Sequence, residues 1–336
     1  MRFDLTDDQR AVRDAIDELC RSRWDSAAAR GYGAGTSDDS ALWRELVAAG
    51  WTGIAVSEEH GGQGLGTVEL TLVCEGLGRA LAPSAFFGNA AAAVLVAAAG
   101  DDEQRRRWLP GFASGEARGA LGTWQPDGTA LAYDAEGAAA LLLVEPGRAA
   151  VVAADACTFE KTDGVDITRR LTRVTIGAAD DLRGDVDAAV DRVEVALSAE
   201  LVGVANRAMD LAVEHARTRE QFGRPIGVYQ AVSHRCADML IDVESARSAV
   251  LCAAWTADND AGSLPFAASV AKVAASQGAW RTTTASLQVH GGIGFTWEHD
   301  CHLLLRRAVA SGHLLGRGDW HLDRVAARRG LGANAS

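Results

Sequence analysis

Arg217-Thr218-Arg219-Glu220-Gln221-Phe222-Gly223-Arg224-Pro225-Ile226-Gly227 stands between two stretches of strong helical periodicity, and its reading decides the architecture. Upstream, Leu201, Val204, Ala208, Leu211 and His215 recur in steps of three and four, which gives one long helix an apolar face. Downstream, a helix expected to begin near Ser233 carries Met239, Val243, Ala246, Val250 and Ala253 at the same spacing. A third segment, Ala267 to Val289, lacks proline and stops at Gly291-Gly292. Long amphipathic helices joined in this way predict a four-helix bundle. The quoted segment therefore lies at a helix end. Its arginines there suit the negative pole of a helix dipole. They suit a ligand as well, with Arg219 offering a planar fork to a phosphate and Phe222 a face to a ring. Gln288-Val289-His290-Gly291-Gly292-Ile293-Gly294-Phe295 marks a second helix end, where the glycines permit positive φ and a close approach to bare backbone. A plain helix C-cap explains those glycines equally well.

Working outward, the first third also reads as helices. Thr6-Asp7-Asp8-Gln9 has capping-box spacing, and Val12, Ile16 and Leu19 follow as an apolar stripe. A glycine-containing loop, Gly31 to Gly35, is expected before a helix over Ser40–Ala49 that Gly50 terminates. Gly61 to Gly66 reads as a turn before a helix from Thr67 to Leu81, closed by Pro83, and a further helix ends near Pro110. From about Arg118 to Val195 the pattern changes to short β-prone runs such as Ala139 to Val144 and Ala149 to Val152, broken by Gly, Asp and Pro. The expected fold class is mainly α, with an N-terminal helical domain over 1–116, a small reduced β domain over 117–190 and the bundle over 191–336.

Composition narrows the function. The chain has 336 residues, 48% hydrophobic and 23% charged, and a net charge of −12. That balance argues against a nucleic-acid partner, since nothing would neutralise a row of phosphates. Six scattered cysteines with no CxxC pair read as reduced core thiols, with no metal site. The most apolar stretch, Ala90 to Ala99, falls short of the ~20 residues that span a bilayer. Met1-Arg2-Phe3-Asp4 shows no signal-peptide core, so a cytoplasmic location and no membrane partner are expected. His60 reads as a loop residue, Lys272 as a snorkelling surface lysine, and Asp319-Trp320-His321 as a helix start.

The sequence resembles the acyl-CoA dehydrogenase family over nearly its whole length. The resemblance rests on Ala41-Leu42-Trp43 through Gly50-Trp51, Val56 to Gly64, Glu75-Gly76-Leu77-Gly78-Arg79, Gly203 to Gln230 and Gln288 to Phe295. The type it suggests is the short, base-lacking subunit of heteromeric actinobacterial acyl-CoA dehydrogenases. The resemblance implies FAD held at a subunit interface. Arg219, Gln221 and Phe222 would reach its pyrophosphate and adenine side, and Gln288 with the backbone of Gly291 and Gly292 would lie near the same dinucleotide. It implies an acyl-CoA substrate, a second acyl-CoA dehydrogenase-type subunit or a second copy of this chain, and an electron-accepting flavoprotein.

Two departures from the family pattern shape the expected role. The family's reaction needs a carboxylate against the acyl α-carbon. In His313-Leu314-Leu315-Gly316-Arg317-Gly318, Leu315 occupies one family position for that glutamate. Other members carry the base near the start of the first bundle helix. Counting back from Arg219 lands on Val193, with Glu194 beside it and Glu200 further along. One residue of offset turns a helical side chain by about 100°. In the β domain, Gly122-Thr123-Trp124-Gln125-Pro126-Asp127-Gly128 replaces a flavin-contacting loop of the Thr-Glu-Pro-Gly type. Trp124 could stack on flavin or belong to the core. Segments given across an interface are intact, whereas those holding a subunit's own flavin are worn. Three readings follow: a partner subunit contributing FAD contacts in trans, a self-sufficient enzyme with its base at Glu194 or Glu200, and a flavin-free helical scaffold.

Overall fold

The computed structural model describes residues 4–331, so the reading of Met1-Arg2-Phe3 as free of a signal core lies outside the described residues. Helix α1 (Asp7–Arg23) opens with the expected capping box: the Thr6 hydroxyl accepts from the Gln9 N–H at 3.2 Å, and the Gln9 side chain accepts from the Thr6 N–H at 3.0 Å. Helix α2 (Ser26–Ala34) then covers most of the stretch expected to be a loop. Asp25 caps it by accepting from the Ala28 N–H, which offsets the poor helix propensity of its glycines. Packing demands a glycine within it, because a Cβ on Gly33 would fall 1.6 Å from the Ile167 carbonyl oxygen. Helices α3 (Ser40–Ala48), α4 (Thr67–Arg79), α5 (Ala85–Ala99) and α6 (Asp102–Ser114) complete the N-terminal part. The alanine-rich run of α5 is buried nearly all round, so it is an internal helix of the domain.

Seven strands follow: β1 (Gly119–Trp124), β2 (Ala130–Tyr133), β3 (Ala140–Glu145), β4 (Arg148–Ala153), β5 (Thr158–Thr162), β6 (Leu171–Thr175) and β7 (Asp180–Asp181). They form one sheet in the order β5-β6-β2-β1-β3-β4-β7, in which only the β1–β3 pair is parallel. Leu142 and Val144 of β3 join the main core, while Leu141 and Leu143 join a separate cluster with Ala132 and Val174 on the other face. Burial on both faces explains why β3 is apolar without alternation.

The β pattern expected to reach Val195 ends earlier. Asp185 accepts from the Ala188 N–H and starts α7 (Val186–Thr218). Helices α8 (Gln230–Asn259), α9 (Leu264–His290) and α10 (Cys301–His313) pack with α7 as the bundle, and α11 (Gly318–Arg328) lies against α9. Helix α8 starts at Gln230, three residues before the expected Ser233, after a turn closed by Tyr229. The N-terminal helices dock on the bundle where α4 crosses α7 at two glycines. A Cβ on Gly78 would lie 2.2 Å from the Glu200 carbonyl oxygen, and one on Gly203 2.0 Å from that of Glu75. Lys272 does not snorkel; it is fully buried and donates to the Ser311 and Gly312 carbonyls at 3.1 and 3.0 Å. Among the described residues, no helix is long and apolar enough to cross a membrane.

Candidate functional site

Two places in the structure carry the chemistry singled out in the sequence. The first is formed by the ends of α7 and α9. Arg219 caps α7, its N–H donating to the His215 carbonyl at 2.8 Å. The chain then turns through a small hairpin, Glu220–Gln221 against Arg224–Pro225, with Phe222 (φ 55°) and Gly223 (φ 77°) at its tip. A left-handed Phe is costly, and here a glycine neighbour and the hairpin enforce it. Phe222 is 92% exposed, touched edge-on by Tyr229 at 6.3 Å. Gln221 is exposed and its side-chain amide donates only to the Glu220 carbonyl. Arg219 makes no ion pair among the described residues.

At the end of α9, Gln288 is exposed, Gly291 has φ 63° and ψ −139°, and neither Gly291 nor Gly292 has any atom within 4 Å of where a Cβ would stand. The backbone there is bare and open. The two helix ends meet because the His215 ring stacks on His290 at 4.5 Å, above a small apolar cluster of Ala212, Ala216, Met239 and Val289. All six candidates, Arg219, Gln221, Phe222, Gln288, Gly291 and Gly292, therefore sit on adjoining helix ends and face outward. What that surface offers is an unpaired guanidinium, an uncovered aromatic face and open amide backbone, the donor set a dinucleotide diphosphate requires.

The second place is a cleft of about 650 Å³ between the sheet and the bundle, lined among others by Trp124, Pro146, Glu194, Leu315, Trp320 and Arg324. Leu315 stands in its wall on a left-handed turn (φ 59°) followed by Gly316 (φ 104°). The buried His321 holds that turn through Nε2, which donates to the Leu315 carbonyl at 3.2 Å. Burial first, and the Lys272 ammonium second, push His321 down to about 4, so its ring is neutral. Trp124 is half-buried at the cleft, with the Arg148 guanidinium 4.4 Å above its ring.

The two possible bases have different surroundings. Glu194 is 1% exposed and opens on the cleft. Its Oε2 lies 3.6 Å from Arg324 and 3.9 Å from His321 but has no hydrogen-bond partner. Burial, and then the neighbouring Asp191 carboxylate, raise its pKa far above the ordinary carboxylate range, while burial lowers that of the nearby Lys272. Glu200 is turned away from the cleft. It accepts from the Ser311 hydroxyl at 2.7 Å and lies 3.6 and 3.8 Å from Arg169 and Arg307 in a buried ion network. Val193 is buried and does not line the cleft.

The contacts that hold these places together leave no signal in the sequence. His321 and Arg324 reach Glu194 from α11, far along the chain, while Asp191 lies one turn before it on α7. His215, His290, His299 and Cys301 come together only through the fold, and no spacing announced them. The ligand atoms of His290, His299 and Cys301 lie within 4.8 Å of one another, and a ring nitrogen of each histidine is already engaged in a hydrogen bond. His290 Nδ1 donates to the Ser286 carbonyl, and His299 Nδ1 accepts the Cys301 N–H. In these tautomers the group is an imidazole cluster, in which His290 stacks on His215 with 29° between the ring planes and meets His299 at a 54° tilt.

Comparison with known proteins fixes the class. The acyl-CoA dehydrogenase N-terminal domain matches residues 6–116 and the acyl-CoA dehydrogenase C-terminal domain residues 188–330, so the chain belongs to the acyl-CoA dehydrogenase family, whose members are FAD-dependent flavoproteins. Among similar proteins is acyl-CoA dehydrogenase IpdE2 of Mycobacterium tuberculosis, 35% identical over 86% of this chain and 85% of that protein. The Tcur3481-Tcur3483 steroid acyl-CoA dehydrogenase G363A variant shares the structure with a TM-score of 0.84 at 28% identity, covering 95% of this chain and 97% of that one. The ChsE4-ChsE5 complex of Mycobacterium tuberculosis superposes with a TM-score of 0.86 at 24% identity, covering 98% and 99%, which shows the shared fold.

Proposed function

We propose that this chain is the partner subunit of a heteromeric, FAD-dependent acyl-CoA dehydrogenase that introduces an α,β double bond into an acyl-CoA thioester. Arg219, Gln221, Phe222, Gln288, Gly291 and Gly292 then contact an FAD seated chiefly on the other subunit. The observation that carries this reading is the contrast between the two places. Leu315 fills the wall of this chain's own cleft where the family can place its base, while the outward-facing helix ends keep every donor. The family membership and the donor chemistry fit FAD. Bound there, FAD supplies the acceptor for the hydride leaving the β-carbon. Arg219 neutralises diphosphate charge, Phe222 covers a ring from water, and the Gly291–Gly292 backbone lets the dinucleotide lie against the helix end. An electron-accepting flavoprotein then reoxidises the assembly. The likeness to a steroid acyl-CoA dehydrogenase supports a bulky, polycyclic acyl group as substrate. Expressed alone, the chain is expected to be colourless by visible absorbance; with its companion subunit it should give a yellow, active complex. A yellow and fully active homo-oligomer overturns the reading.

One observation favours a second reading. Glu194 opens on the same cleft as Leu315, buried, with a free oxygen and a raised pKa, which are the properties of a general base. Under that reading the chain is self-sufficient and Glu194 takes the α-proton. Glu194→Gln separates the two. The partner-subunit reading expects flavin reduction by acyl-CoA within about two-fold of the parent; the other expects a loss of at least about 100-fold with FAD retained. A scaffold that has given up chemistry altogether would take up no FAD with any companion.

A further inference from the structure

We propose that His290 is a positioning residue that locks the two FAD-contacting helix ends together through an imidazole stack, and that protonation of this stack releases the cofactor. The inference rests on the proposed cofactor contacts and goes beyond them by naming what orders them and what loosens them.

His290 is the last residue of α9, directly before the bare turn at Gly291. Its ring is 6% exposed and lies between two others, with His215 of α7 at 4.5 Å and His299 at 4.4 Å. His215 sits one turn before Arg219, and its carbonyl accepts the Arg219 N–H. A single ring thus touches the helix that carries the guanidinium and begins the turn that offers the backbone. The tautomer of His290 is fixed because Nδ1 lies 2.8 Å from the Ser286 carbonyl, an acceptor only, so Nδ1 carries the proton and Nε2 holds the lone pair. His299 is fixed in the opposite sense: its Nδ1 accepts the Cys301 N–H at 3.2 Å.

The groups around it set the response to acid. Arg219 and Arg207 of α7 and Arg30 of α2 face the stack with positive charge. Asp300 is the carboxylate on that side, and it is already paired with Arg30 at 3.0 Å. Cys301 of α10 faces His290 with its Sγ 3.3 Å from Nδ1, and burial raises the thiol to about 11, so it supplies no negative charge. Two imidazolium rings in contact would repel each other beside three guanidinium groups with little to compensate them. Separation of the rings would carry the Gly291 turn away from Arg219. Burial and the neighbouring rings lower His215 and His299, which keeps those two rings neutral at neutral pH.

The test measures the FAD dissociation constant of the assembly by fluorescence between about pH 7.5 and pH 5.5. The parent is expected to weaken by up to about ten-fold over that interval, the response to one proton taken up by His215 or His299 as the rings separate and regain water. His290→Asn keeps a donor for the Ser286 carbonyl but removes the ring against which His215 and His299 both pack, so its affinity should stay flat over the interval. His299→Asn keeps an acceptor for the Cys301 N–H and should lose most of the acid response, which gives a second readout if the His290 variant fails to fold. A parent that binds FAD equally at both pH values, or foldable variants that keep the full ten-fold loss, overturns the inference while leaving the cofactor contacts in place. An assembly that takes up FAD with no dependence on Arg219 overturns the contacts, and the inference falls with them.

Discussion

Asp166→Asn is expected to lower the unfolding free energy by about 3–5 kcal/mol at neutral pH, the usual cost of removing one partner from a buried ion cluster. Asp166 is 1% exposed in the loop between β5 and β6 and bonds Arg307 of α10 and, at 2.7 Å, Arg169. Arg307 also donates to the Ala82 carbonyl and to the Thr168 hydroxyl, and Arg169 to Ser84 and Ser311. One carboxylate therefore ties the sheet, the chain after α4 and the bundle into a single unit. Its loss leaves the two buried guanidinium groups with neutral partners and, as remaining ion pairs, Glu200 at 3.6 and 3.8 Å. Burial alone would raise the Asp166 pKa; Arg307 and Arg169 override it and hold the carboxyl well below the ordinary range. A depressed folded pKa contributes stability that is fully present above the unfolded value of about 3.9 and is lost as pH falls below it. The parent should therefore lose stability steeply below about pH 4, and the variant, already without the contribution, should lose less there. Denaturant midpoints measured at about pH 7 and about pH 3 check both statements. Equal stability of parent and variant at neutral pH would remove the cluster from the account.

The bundle was legible because its helices carry apolar residues at regular spacing over many turns, as Leu201 to His215 and Met239 to Ala253 show. Boundaries were less legible where a cap outweighs propensity. Asp25 and Asp185 each start a helix earlier than the glycines and β-branched residues that follow would suggest. The helix-end candidates were found because they lie in two short contiguous segments. Their convergence was not visible, since it depends on His215 meeting His290 across the bundle. Lys272 was misread because an isolated lysine on an alanine-rich helix gives no sign of the two carbonyls that receive it. Glu194 and Glu200 differ by six residues and look alike in sequence, yet only the first opens on the cleft. Burial and hydrogen-bond partners, which separate them, are long-range properties.

Arg219→Ala in this chain alone, with the companion subunit unaltered, is the most direct test of FAD contact in trans. Arg219 is exposed, caps α7 through its backbone and makes no ion pair among the described residues. Truncation should therefore leave folding nearly unchanged and remove only what the guanidinium gives to a ligand. A charge-assisted contact to a diphosphate contributes about 1.5–3 kcal/mol, so FAD should dissociate about 10–100 times more readily from the variant assembly. The measurement is the FAD dissociation constant of the purified complex, with its melting temperature as a check on folding. A large loss of FAD affinity at an unchanged melting temperature is expected. Unchanged affinity in a folded, flavin-bearing complex would contradict FAD contact in trans.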